Sequence, residues 1–189
     1  MTHSDTNVIA DARVETTTIA GLELHHTKVV GDSRGMLAEL IRNGSANPIL
    51  GAGLGNLYVS IAMGKHIARA GHHHTNNLER FFTLSGCALW YFSDLREDSP
   101  TRGHQYACVL GADRPRDAVP DPVYVLADID MVRAIVPTGV YHVFWPLTEA
   151  PVSVLAAASV SHELEDVVRT PWQTVHGCAE RVAQYGIHA

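Results

Sequence analysis

Four residues of this sequence have the types and spacing to share one metal ion: His72, His74, Glu79 and His142. In an extended strand successive side chains alternate faces, so His72 and His74 point one way and His73 the other, and two imidazoles on one face can bind one cation. Glu79 opens the apolar run Glu79-Arg80-Phe81-Phe82-Thr83-Leu84, where an inward-facing carboxylate is costly unless it is paired or bound to a cation. Ser85-Gly86 turns the chain into Cys87-Ala88-Leu89-Trp90-Tyr91-Phe92, and Pro137-Thr138-Gly139 makes a second tight turn that delivers His142. Three imidazoles and one carboxylate suit a divalent metal ion: zinc first, with nickel, manganese or iron as the other occupants. His3, His25, His26, His73, His176 and His188 fit no such pattern and read as surface or structurally satisfied residues.

These side chains need a scaffold of short strands. Apolar or alternating runs at 22–30, 36–42, 57–63, 79–84, 87–92, 105–110, 123–126, 131–136, 141–144 and 152–160 are separated by turn residues, the pattern of an all-β barrel or sandwich. The stretch 111–122 carries three prolines, three aspartates and two arginines and reads as an exposed loop. Thr170-Pro171-Trp172-Gln173 predicts a helix start, and Trp172, Val175, Ala179 and Val182 recur on one helical face. The expected organisation is an N-terminal arm over 1–20, a barrel over 21–162 and a helical tail over 163–189. The segment before about residue 20 reads either as disordered or as an arm that crosses to a partner subunit, for which Val14-Glu15-Thr16-Thr17-Thr18-Ile19 has the β propensity.

A chain of 189 residues is long enough to bury a core within one domain. Its net charge of −6 gives no nucleic-acid or anionic-membrane footprint. Cys87, Cys108 and Cys178 are an odd set without metal-like spacing, which reads as reduced packing residues in a cytoplasmic protein. The start of the chain lacks the basic and apolar segments of a secretory signal. No apolar run approaches the ~20 residues that span a bilayer.

His72-x-His74 followed by Glu79 and Gly86, with Pro137-x-Gly139-x-x-His142 downstream, resembles the two signature motifs of the cupin superfamily. That resemblance implies an all-β double-stranded β-helix, or jelly-roll barrel, here with a short C-terminal helix. Asp32-Ser33-Arg34-Gly35 with Glu39, then Asp94-Leu95-Arg96 leading to Ser99-Pro100-Thr101, then 137–144, is similar over residues 25–160 to the deoxythymidine-diphosphate 4-keto-6-deoxysugar 3,5-epimerases. The likeness implies a nucleotide-sugar substrate and a homodimer. It also implies substrate-binding roles for Arg34, Arg69 and Arg96, whose planar guanidinium can grip two phosphate oxygens at once.

The departures are chemical. In those epimerases a histidine at the position of His72 is the general base, and a lysine stands where this chain has Glu79. A metal-bound His72 has its lone pair occupied and cannot take a proton. The set His72, His74, Glu79, His142 is instead similar to the metal-binding cupin domains of capsular and surface polysaccharide enzymes, which act on 4-keto nucleotide sugars. The chemistry implied is enolisation beside a sugar ketone, leading to epimerisation, isomerisation or dehydration, with a metal polarising the carbonyl. The proton carrier is then sought among Tyr91, His104, Tyr106, Tyr141 and His66, with Tyr91 first because it follows the Gly86 turn. Two other readings of the same ligand set are an iron- or nickel-dependent dioxygenase and a non-catalytic sugar-binding cupin.

Overall fold

The structure, a computed structural model, describes residues 11–41, 53–126, 130–161 and 163–188. The strands in chain order are β1 (Asp11–Thr16), β2 (Glu23–Asp32), β3 (Gly35–Ala38), β4 (Asn56–Ala62), β5 (Arg69–His74), β6 (Glu79–Ser85) and β7 (Cys87–Asp94). They continue with β8 (Gln105–Gly111), β9 (Val123–Val125), β10 (Asp130–Val136), β11 (Val140–Pro146), β12 (Val152–Ala158) and β13 (Val167–Arg169). One sheet runs β1-β2-β10-β6-β12-β4, with β3 folded back on β2, and the other runs β13-β5-β11-β7-β8-β9. From β4 to β7 and again from β9 to β13 consecutive strands alternate between the sheets, the crossing pattern of a jelly-roll barrel.

Side-chain alternation sorts each strand between two environments. Leu24, Phe81, Ala134, Val154 and Ala156 of the first sheet meet Trp90, Phe92, Leu110 and Phe144 of the second inside the barrel. Trp90 is the centre of this packing, with the Phe144 ring 4.7 Å away and the Phe81 ring 4.8 Å away. The intervening residues Leu89, Tyr91, Tyr141, Val143 and Trp145 face outward and are covered by Val175, Cys178, Val182 and Ile187 of the tail. All eight residues of β7 are therefore buried, which is why its sequence reads as an unbroken apolar run. Each fully covered large side chain contributes about 1.5–3 kcal/mol.

The short C-terminal helix is present but begins later than the Thr170-Pro171-Trp172 start. The tail forms a 3-10 turn over Trp172–Thr174 and a short helix α1 over Cys178–Ala183. Gly177 between them is left-handed (φ +73°), and a Cβ there would sit 2.2 Å from Gln105 Oε1. The left-handed angle favours glycine there, and glycine breaks the helix. Asp121 fixes the tail by accepting from Tyr185 Oη (2.7 Å) and Arg181 Nη1 (3.2 Å). The N-terminal segment also departs from expectation: β1 pairs antiparallel with β2 of its own chain, so Val14 to Thr16 is built into the barrel rather than reaching out as an arm.

The segment after β7 is locked by Asp94, whose side chain is fully buried. Its Oδ1 accepts from Arg96 Nε (2.8 Å), and its Oδ2 accepts from Arg96 Nη2 (2.7 Å), Ser99 Oγ (2.5 Å) and Thr101 Oγ1 (2.7 Å). Burial alone would raise the carboxyl pKa, but these donors outweigh it and hold the group below the usual carboxylate range. Arg96 also donates to the Ala20 carbonyl at 2.7 Å, stitching the entry to β2 onto this turn. Asp94→Ala is expected to cost about 3 kcal/mol in urea unfolding at neutral pH, because it leaves a partly buried guanidinium unpaired. A folded-state pKa held low means that the stabilisation is present above the unfolded carboxyl range and is lost as pH falls. The gap between wild type and variant is therefore expected to close on acidification.

Candidate metal centre and active site

His72 and His74 come from β5 and His142 from β11, neighbours in one sheet, while Glu79 heads β6 in the other. Register brings them together: His142 lies opposite His72. Their donor atoms all lie within 4.8 Å of one another. Glu79 Oε2 is 3.2 Å from His74 Nε2 and 3.2 Å from His142 Nε2. The imidazole centroids are 5.0 Å apart for His72 and His74 and 4.7 Å for His72 and His142.

Polar atoms of His74, Glu79 and His142 converge without satisfying one another. His72 Nδ1, His74 Nε2, Glu79 Oε2 and His142 Nε2 are buried without a hydrogen-bond partner. Buried polar atoms are normally paired, so converging lone pairs of this kind fit a cation, and a three-imidazole, one-carboxylate set fits a transition metal. Electrostatics agree with ligation. Burial, followed by repulsion from His142, pushes His72 down to about 3, which keeps its ring neutral. Burial would raise Glu79, but the imidazoles of His142 and His74 outweigh it and hold the carboxylate ionised.

Outer contacts orient the donors. Tyr58 Oη donates to Glu79 Oε1 at 2.5 Å. His74 Nδ1 lies 2.7 Å from Asp166 Oδ2, while Asp166 Oδ1 accepts from Thr75 Oγ1 (3.0 Å) and the Asn76 N–H (2.5 Å). A carboxylate can only accept, so Nδ1 holds a proton toward Asp166, and Nε2 is the nitrogen turned toward Glu79 and available to a metal ion.

The three imidazoles of this group line a cavity of about 540 Å³ that is also lined by Tyr58, Ser60, Arg69, Phe81, Phe144 and Arg169. Its volume is that of a small-molecule site. Arg69 reaches across the cavity, with Nη2 3.2 Å from Ser60 Oγ on β4.

Of the residues singled out in the sequence, the structure gathers His72, His74, Glu79, His142 and Arg69. The others need correction. Tyr91 and Tyr141 face the tail rather than the cavity, and their hydroxyls donate to the carbonyls of His176 (2.7 Å) and Thr170 (3.1 Å). His104 is exposed, with Nδ1 donating to the Thr18 carbonyl at 2.9 Å, and neither His66 nor Tyr106 lines the cavity. Arg96 is occupied by Asp94, which makes the Ser-Pro-Thr segment a turn lock. Arg34 sits at the exposed β2–β3 turn, paired with Asp32 and away from the cavity lining.

Tyr58, Asp166 and Arg169 went unnoticed in the sequence. The alternation of Asn56, Tyr58 and Ser60 with Leu57, Val59 and Ile61 does put Tyr58 on the inward face of β4, whereas Asp166 and Arg169 sit in short elements with no periodic signal.

No family model matches the chain. It is 26% identical over 156 residues to the spore coat polysaccharide biosynthesis protein SpsL of Bacillus subtilis (strain 168), spanning 82% of this chain and 90% of that one. Among solved structures, a dTDP sugar isomerase from Desulfovibrio desulfuricans G20 superposes with a TM-score of 0.69 at 20% identity, covering 85% of this chain and 90% of the other. The 3,5-epimerase of Legionella pneumophila Philadelphia 1, solved with dTDP-4-keto-L-rhamnose, gives a TM-score of 0.69 at 19% identity over 90% of this chain and 81% of its own.

Asp166→Asn is expected to weaken zinc binding roughly 10- to 100-fold in a chelator competition, because the amide no longer fixes the His74 tautomer; unchanged affinity would sink that role. With this geometry and these likenesses, the chain has the fold of the dTDP-4-dehydrorhamnose 3,5-epimerase-like cupins.

Proposed function

We propose that this protein is a cupin enzyme of deoxysugar or surface-polysaccharide biosynthesis that moves a proton beside the ketone of a 4-keto nucleotide sugar, giving epimerisation or isomerisation. The observation that carries the reading is one cavity lined by His72, His74 and His142, a tyrosine and two arginines, with Glu79 buried against the imidazoles. His72, His74, Glu79 and His142 would hold a divalent metal, zinc by preference, and such an ion supplies Lewis-acid polarisation of a carbonyl.

The chain's own residues do the rest. Arg69 from β5 and Arg169 from β13 offer planar donors for the diphosphate. Phe81, Phe144 and Val154 line the same cavity and keep water from the reacting carbon. Tyr58 Oη carries the proton nearest the centre, already hydrogen-bonded to Glu79, and is the group that gives or takes a proton there. Two guanidiniums at the cavity favour an anionic substrate over the apolar one an oxygenase would take. A homodimer belongs to the proposal: edge strand β4 exposes Leu57, Val59 and Ile61, and the β2–β3 hairpin exposes Met36 and Leu37, apolar surface that pairing with a second copy covers.

The test is incubation of the metal-analysed protein with a dTDP-4-keto-6-deoxy sugar in heavy water, followed by mass spectrometry. Deuterium uptake at a ring carbon beside the ketone is expected, and Tyr58→Phe is expected to slow it by about 100- to 10,000-fold with metal content unchanged. Exchange at the background rate in the wild-type protein would end the proposal.

A further inference from the structure

Arg69 and His72 are three residues apart, and in a regular strand residues an odd number apart face opposite ways. Both nevertheless line the cavity. The ladder with β11 shows how: His72 lies opposite His142, Ala70 opposite Val143 and Arg69 opposite Phe144. Three steps on β5 are matched to two on β11, so Gly71 is an extra residue, a β-bulge. Directly opposed residues share a face, and His142 and Phe144 both face inward. The inserted residue thus returns Arg69 to the imidazole face. Without the bulge, the same residues in a straight strand would turn the guanidinium to the outside of the barrel.

The backbone is committed to this shape. Ala70 and Gly71 are both left-handed, with φ of +67° and +78°, and for alanine that conformation costs about 1–2 kcal/mol. The Gly71 carbonyl accepts from the Thr170 N–H at 3.1 Å, tying the bulge to the residue after β13. Space does not require glycine, since a Cβ at residue 71 would meet Tyr141 Oη at 3.6 Å and the Thr170 carbonyl oxygen at 3.8 Å, ordinary contacts. The constraint is the backbone angle alone. Bulges of this kind re-aim side chains at sites, and local strain persists where its surroundings enforce it.

We infer that the Ala70–Gly71 bulge is a positioning element that aims Arg69 into the cavity to hold the anionic diphosphate of the substrate, leaving the histidine–glutamate group untouched. The diphosphate rests on the nucleotide-sugar reading; the aim of Arg69 does not.

The experiment measures dTDP binding by titration calorimetry, with metal content alongside, for the full-length protein and for Arg69→Ala, Gly71→Val, their combination, and deletion of Gly71. Valine resists a left-handed φ and straightens the strand with every residue retained, whereas deletion straightens it but leaves Arg69 two places from His72, on the cavity face. Arg69→Ala and Gly71→Val are each expected to weaken dTDP binding about tenfold. The double variant is expected to lose no more than either single one, the deletion to bind like wild type, and metal content to stay constant throughout.

Wild-type affinity in Gly71→Val, or losses that multiply in the double variant, would overturn the inference, as would a deletion variant that binds as poorly as Arg69→Ala. Ala70→Val asks the same question at the neighbouring left-handed residue and serves where Gly71→Val does not fold. If the wild-type protein does not bind dTDP, the nucleotide reading fails by itself. A crystal structure of the straightened variant then decides the bulge: an outward guanidinium upholds it, and one still in the cavity refutes it.

Discussion

A carboxylate buried between two sheets is the constraint around which this barrel is arranged. Glu79 belongs to β6, in the middle of one sheet between β10 and β12, and is almost fully shielded from solvent. An ionised carboxylate in that position costs several kcal/mol unless it is compensated. All three imidazoles that face it come from the opposite sheet, on the adjacent strands β5 and β11. The charge therefore acts across the barrel, and the distance between the sheets and the register of β5 on β11 are both fixed by the need to bring those rings to it. Tyr58 adds a third direction, from edge strand β4.

An acid at position 79 makes sense only with this whole group. A lysine beside His72, His74 and His142 would add a cation to three imidazoles, whereas Glu79 supplies the one negative charge that lets lone pairs converge. Glutamate and the second and third histidines therefore form a single unit. Asp166 extends it outward by setting the proton of His74, so a residue after β12 determines what a residue on β5 presents to the cavity.

Much of this was legible in the sequence, for reasons that also explain what was not. His72 and His74 were placed correctly because parity along a strand is a strong rule, and Glu79 because a charge at the head of an apolar run demands a partner. Tyr91 and Tyr141 lie on strands buried on both faces, where burial does not mark the cavity side; for Tyr141 the marker is its neighbour His142, whose inward direction turns Tyr141 outward. Arg96 shows the limit of motif reading: the segment that most resembles the sugar epimerases is held in shape by Asp94, and its arginine is spent on that hold. Arg69 escaped the alternation rule altogether because a bulge resets the count. The short C-terminal helix was legible but its start was not, since helical periodicity does not register the left-handed glycine at residue 177.

The tie between Asp166 and His74 has a consequence for the order of events during synthesis. His72, Glu79 and His142 all precede Asp166 in the chain, and Asp166 must arrive with β13 before the His74 ring is held in its final tautomer. A nascent chain that has released only its first twelve strands already contains every donor atom of the centre but not the restraint that orients one of them. Assembly of the site is thus withheld until the closing segment has docked, and the final orientation of the His74 ring becomes a late step that reports a completed barrel.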